Sequence, residues 1–119
     1  IEQDVGFRLT KAALEDKKIT AVVAVNDMVA YGAMTAILQA GFSIPRDYSV
    51  CGFDNIFSSQ FPQILLTTVE HFMREKGHNA MNILDERIRS GGVPAESITR
   101  VEYQPRLIVR KSTAKPRAL

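Results

Sequence analysis

Ile19-Thr-Ala-Val-Val-Ala-Val25, Asn26-Asp27, Met28 through Ala40, Gly41, and then Tyr48-Ser-Val-Cys-Gly-Phe53-Asp54-Asn55: the stretch from Ile19 to Asn55 decides the fold. Residues 19–25 are a continuous apolar run rich in valine, the pattern of a strand buried on both faces of a parallel sheet. Met28, Tyr31, Met34, Ile37 and Leu38 give a helix over 28–40 an apolar stripe. Asn26 or Asp27 can cap that helix by accepting from free backbone N–H groups, and Gly41 follows its end. Pro45 and Asp47 mark the turn into a second strand, 48–53. A strand–helix–strand unit of this length is parallel and right-handed. Its polar corners, Asn26-Asp27 and Asp54-Asn55, lie just past the carboxyl ends of the two strands. In open α/β sheets that edge is where ligands bind. Gly52, with no side chain, leaves room for something to pack against its backbone.

Outward from that unit, residues 2–17 read as a helix with Val5, Leu9, Ala12 and Ala13 on one face, widened by Phe7 and Leu14. A helix so close to the first residue implies a strand upstream of it. Residues 55–65 are irregular, and Phe57, Phe61, Ile64 and Leu65 around Pro62 suit a packed loop or an interface. Thr67 and Glu70 have the spacing of a capping box opening a long helix. Phe72, Met73, Ala80, Ile83, Leu84 and Ile88 form its apolar stripe, and Gly77 weakens its middle by roughly 1 kcal/mol relative to Ala. Ser90-Gly91-Gly92 and then Pro94 end it. Residues 98–103 and 106–110 read as strands separated by Pro105, a bent edge. Residues 114–119 are expected to be a disordered tail.

The 119 residues suffice for one domain with a modest core. At 45% hydrophobic and 24% charged, the composition is that of a folded soluble protein, and no apolar run is long enough to span a bilayer. A single cysteine, Cys51, excludes an internal disulfide and a cysteine-based zinc site and fits a reducing compartment. The charge of +2 is uneven: residues 101–119 carry Arg106, Arg110, Lys111, Lys115 and Arg117 against Glu102 alone. That basic end reads as a solvated terminus, and the rest is not the basic face of a DNA-binding domain.

The chain has no G-x-G-x-x-G, P-loop, G-x-S-x-G or H-E-x-x-H pattern. His71 and His78, seven apart, are too far along a helix to share a metal, and no third ligand accompanies them; His78 reads as a surface residue. A phospho-receiver domain would use Asp54 as its acceptor, but no suitable lysine follows a later buried strand. No nucleophile, base and orienting group can be assembled, so an enzyme is not expected, nor a metal or cofactor. Asp54 has two readings, a turn-forming or capping residue and a carboxylate on the floor of a ligand cleft. Asn26 has the same two readings, and its amide can both donate and accept, which suits polyol or nucleoside edges.

Four segments carry a family resemblance. Ala24-Val25-Asn26-Asp27-Met28-Val29-Ala30-Tyr31-Gly32-Ala33 resembles the "xxNDxxAxGA" segment of the lactose-repressor (LacI) family. Ile44 through Asn55 resembles its "IPxDxSVxGFDN", Leu66-Thr67-Thr68-Val69 its "LTTV", and Leu107 through Thr113 its "LIVRxST" ending. The order and spacing also fit, over nearly the whole chain. The resemblance implies a Rossmann-like open parallel sheet, the C-terminal lobe of a periplasmic-binding-protein-like fold. It implies a cytoplasmic bacterial transcription regulator, a homodimer, in which a small effector bound between two lobes alters operator affinity. Operator DNA would be bound only through an N-terminal helix-turn-helix headpiece that this chain lacks. By position, Asn26, Asp54 and His71 are implied as effector contacts, and His71 would make binding pH-sensitive. Tyr31, Gln60 and Phe61 are implied at the dimer interface. The helix over 69–90 is implied to pack on the other lobe, and without it to dock onto another copy. Ile64-Leu65 departs from the family's paired prolines, and Glu70-His71 from its usual Gln-Pro, which leaves the ligand class open. The alternative is an extracytoplasmic sugar-binding protein of a transporter, which shares the fold.

Overall fold

A computed structural model describes residues 2–92 and 98–118. In chain order the elements are α1 (Glu2–Ala13), β1 (Ala21–Val23), α2 (Asp27–Gln39), β2 (Ser49–Cys51), a 3-10 turn (Phe57–Gln60), β3 (Thr68–Glu70), α3 (Met73–Arg89) and β4 (Arg106–Ile108). β1 and β2 are parallel with Val22 opposite Val50, as the strand–helix–strand reading requires. The ladder continues past them. Cys51 bridges Thr67 in parallel, and the N–H groups of Gly52 and Asp54 donate to the carbonyls of Thr67 and Val69. β4 then closes antiparallel on β3, Val69 opposite Leu107.

The ends of α2 follow local chemistry. Asn26 is extended (φ −155°), and its Oδ1 accepts from Val29 N at 2.8 Å, the N-cap bond. At the other end Gly41 has φ +83°. Gly41 N donates to Leu38 O and Phe42 N to Ile37 O, the Schellman pattern. The core beneath α2 consists of Leu14, Ala24, Ala30, Ile37, Tyr48, Val50 and Leu66.

α1 buries a different face from the one its apolar spacing suggests. Its buried residues are Gly6 and Thr10, while Leu9 is 67% exposed. The cause is a close helix crossing: a Cβ on Gly32 would lie 1.9 Å from Gln3 O, and one on Gly6 would lie 2.0 Å from Val29 O. Small residues let the two backbones touch, so they and not the large ones are inside. Val5, Leu9 and Ala13 instead line an open apolar groove of about 430 Å³ beside β1, with Val23 and Val25. Those two valines are 81% and 80% exposed. The strand is therefore covered on one face and not on both: Val23 and Val25 face the open groove, while Ala24 is buried.

Two further expectations are corrected. Thr67 and Glu70 do not form a capping box: residues 68–70 are strand, and the helix begins at Met73. Thr67 is held by tertiary partners, its N–H on Ser112 Oγ at 2.7 Å and its hydroxyl on Thr113 Oγ1 at 3.0 Å. Residues 98–103 form no strand. In the stretch 114–118, expected as a tail, Ala114 exchanges hydrogen bonds with the Ser49 hydroxyl. Arg117 donates to the carbonyls of Asp47, Lys17 and Ile19, with its guanidinium over the Tyr48 ring. Part of the basic terminus is thus spent on carbonyl groups and an aromatic face. Pro94 and Leu119 lie outside the described residues.

α3 buries no residue. Met73, Met81, Leu84 and Ile88 on it are 49–70% exposed, and the molecule is elongated, 62 × 24 × 23 Å. No helix among the described residues is long and apolar enough to cross a membrane.

Candidate functional site

The two polar corners are joined by one buried carboxylate. Asp27 has no exposed surface. Its N–H donates to Phe53 O at 2.8 Å. Its Oδ1 accepts from Thr68 Oγ1 at 2.5 Å, and its Oδ2 from Ile56 N at 3.0 Å. Gly52 makes the space: a Cβ there would sit 2.2 Å from Asp27 Oδ1. The gap that Gly52 leaves at the strand end is therefore filled by Asp27, which ties the end of β1 to the loop after β2. The sequence signalled the gap but not its occupant.

Asp54 and Asn55 follow, with φ of +109° and +52°. Such backbone costs a non-glycine residue roughly 1–3 kcal/mol and persists where surrounding contacts over-determine it. Here Asp54 N donates to Val69 O at 3.0 Å, and Asn55 N donates to Thr68 Oγ1 at 3.3 Å. The Asn55 side chain is used at both ends. Its Nδ2 donates to Glu70 Oε2 at 2.7 Å, and its Oδ1 accepts from Arg110 Nη2 at 2.6 Å. Arg110 also donates through Nη1 to Leu66 O at 2.8 Å. The Asn55 amide holds the Glu70 carboxyl below the usual carboxylate range, against the opposing effect of burial; the Phe72 N–H on Glu70 Oε1 adds to the lowering.

The structure brings Asp54 and His71 together. His71 Nε2 lies 3.0 Å from Asp54 Oδ1, and its ring stacks on Phe53 at 5.1 Å and 27°. On its other side, His71 Nδ1 lies 3.0 Å from Lys76 Nζ, at the start of α3. An ammonium only donates, so Nδ1 accepts, and the ring proton resides on Nε2, which donates to Asp54. Asp54 Oδ2 takes no hydrogen bond among the described residues and is left to accept. The side chains of His71 and Asp54 are 18% and 27% exposed, so the pair borders solvent without being immersed in it.

Asn26 is not part of that pair. Its Oδ1 caps α2, and its Nδ2 donates to Glu2 Oε2 at 3.2 Å. Tyr31 Oη shares a hydrogen bond of 2.9 Å with Ser58 Oγ in the 3-10 turn, and burial pushes its phenol up. Gln60 is exposed, and Phe61 is exposed with Phe57 packed edge-on against it at 5.3 Å. Sequence reasoning placed Asp27 and Asn55 only as members of the two polar corners, and missed Glu70, Lys76 and Arg110 as parts of the candidate site. Among the described residues no group of acidic, histidine and cysteine side chains could hold a metal.

Residues 2–113 match the model of the periplasmic binding protein-like domain. The chain belongs to that family. It is 42% identical over 103 residues to the HTH-type transcriptional repressor PurR of Mannheimia succiniciproducens, covering 87% of this chain and 30% of that protein. The PurR of Histophilus somni is 40% identical, over 93% of this chain and 33% of its own length. The chain thus spans about a third of the length of the curated relatives it matches. A LacI-family transcriptional regulator from Enterococcus faecium with bound ribose superposes with a TM-score of 0.86 at 31% identity, over 97% of this chain and 41% of that one. With these likenesses the chain corresponds to part of the effector-binding core of LacI-family regulators, and its parallel strand–helix–strand unit is the open sheet expected of that fold.

Proposed function

We propose that this chain is the effector-binding and dimerisation part of a bacterial LacI-family DNA-binding transcriptional regulator. A small ligand, of the sugar, sugar phosphate or nucleoside and purine classes, binds in the cleft between two lobes. Its binding controls operator affinity through a helix-turn-helix headpiece outside this chain. The regulator works in the cytoplasm, catalyses no reaction and needs no cofactor. The observation that carries the reading is Asp54. It stands past the carboxyl end of a parallel strand, with Oδ1 held by His71 and Oδ2 open. A carboxylate oxygen accepts from hydroxyl or N–H donors, which a pentose such as the ribose of the Enterococcus relative supplies. His71 positions Asp54 and presents its ring edge to the ligand, and Asn26 contributes its amide N–H once Glu2 yields it. Tyr31, Gln60 and Phe61 lie at the dimer interface, where the Phe57–Phe61 pair offers exposed aromatic surface. The exposed stripe of α3 packs on the second lobe.

The test is a thermal-shift screen of the full-length regulator with ribose, lactose, sugar phosphates, nucleosides and purines, with and without Asp54→Ala. A ligand at about a hundred times its dissociation constant adds roughly 2.7 kcal/mol of stability. The expected result is a hit that disappears in Asp54→Ala. A hit of undiminished size in the variant places the site elsewhere.

A further inference from the structure

We infer that Arg110 is a positioning residue for the ligand corner: through Asn55 it presets the direction of the Asp54 carboxylate. This rests on the reading of Asp54 as the ligand-binding group. Asp54 and Asn55 are consecutive non-glycine residues at positive φ, so the corner relaxes to ordinary backbone unless something holds it. The backbone bonds of Asp54 and Asn55 to Val69 and Thr68 fix the chain on one side. On the other side the holding is done by side chains. Asn55 is gripped between Glu70, which accepts from its amide nitrogen, and Arg110, which donates to its amide oxygen.

The grip needs a planar fork. Arg110 sends Nη2 to Asn55 and Nη1 to Leu66 O and, at 3.4 Å, to Ser59 Oγ. One guanidinium therefore spans three segments: the corner, the 3-10 turn and the approach to β3. A lysine carries the same charge but cannot reach three acceptors in one plane. Glu70 and Arg110 also lie on opposite ends of the same amide, so Asn55 cannot flip without facing both its partners with the wrong polarity. The corner is thereby fixed in direction as well as in place. The consequence is read at His71, whose Nε2–H is directed by the Asp54 oxygen it donates to.

The experiment is nitrogen NMR of the chain with 15N-labelled histidine. The chain has two histidines, and the exposed His78 serves as an internal control. In the native chain His71 shows the Nε2–H tautomer and His78 the mixture of a solvated ring. Arg110→Lys is expected to shift the His71 signals toward those of His78 while His78 stays unchanged. A folded Arg110→Lys chain with an unaltered His71 spectrum overturns the inference and leaves Arg110 as a structural staple. If Arg110→Lys does not fold, Asn55→Ala takes its place, with the same expected shift and the same overturning result. No ligand enters this measurement, so a failed ligand screen and a failed positioning role give separate readouts.

Discussion

α1 and α2 meet backbone to backbone, while α3, the longest helix described, buries none of its seventeen residues. Both regions carry apolar stripes in sequence. What separates α2 from α3 is whether other elements have arrived to cover the stripe; the apolar face of α1, with Leu9 67% exposed, is left open as that of α3 is. α2 is enclosed by α1, β1 and β2, and its Ile37 has no exposure. α3 shows Ile88 at 70% exposure. An amphipathic pattern therefore says that a face is meant to be buried, and not that it is buried within the same segment of chain.

That contrast can be broken most directly by paired truncations. Ile37→Ala is expected to cost about 4 kcal/mol, and Ile88→Ala to stay within about 0.5 kcal/mol, in urea unfolding of the chain. Equal costs would show that α3 is packed in solution. The glycines sharpen the same point. Gly32→Ala drives a Cβ against Gln3 O and should cost about 3 kcal/mol. Gly77→Ala, with nothing within 4 Å of its Cβ position, should raise helix stability by about 1 kcal/mol, seen as increased helical ellipticity at the melting edge. A Gly32→Ala chain as stable as the native one would contradict the close crossing.

The smallest effect sits at the junction of the two regions. The Glu70 carboxyl is lowered by the Asn55 amide, so its folded value lies below its unfolded one, near about 4.3. Its contribution is fully present above that value and is lost as pH falls through the lower folded one. Glu70→Gln should lose about 1 kcal/mol at pH 7, and the difference from the native chain should vanish toward acid pH in matched urea titrations. A difference independent of pH would mean that the Glu70 charge plays no part.

Much of the body was legible because its signals are local. Asn26 and Gly41 bound α2 where cap chemistry puts them, and the parallel pairing of β1 with β2 follows from the length of the connection. The misread parts depend on distant partners. Thr67 and Glu70 have a capping-box spacing, but Ser112 lies 45 residues from Thr67 and supplies its hydrogen bond. Asp27 looked like an alternative cap, and its burial is decided by Thr68, 41 residues away. The valines at 23 and 25 read as buried on composition, and their exposure depends on a neighbour that the described residues do not provide. In the candidate site, Asp54 and His71 are each named from the sequence as separate residues. Their contact, and the grip of Arg110 on Asn55, arise only when β3 and β4 fold beside β2.

The most direct measurement is calorimetric titration of the full-length regulator with the ligand found in the screen, against Asp54→Ala and His71→Gln. Loss of a charge-assisted hydrogen bond of roughly 1.5–3 kcal/mol predicts about 10- to 100-fold weaker binding for Asp54→Ala, with a smaller loss for His71→Gln. Unchanged dissociation constants in both variants would contradict the assignment of the Asp54–His71 corner as the effector site.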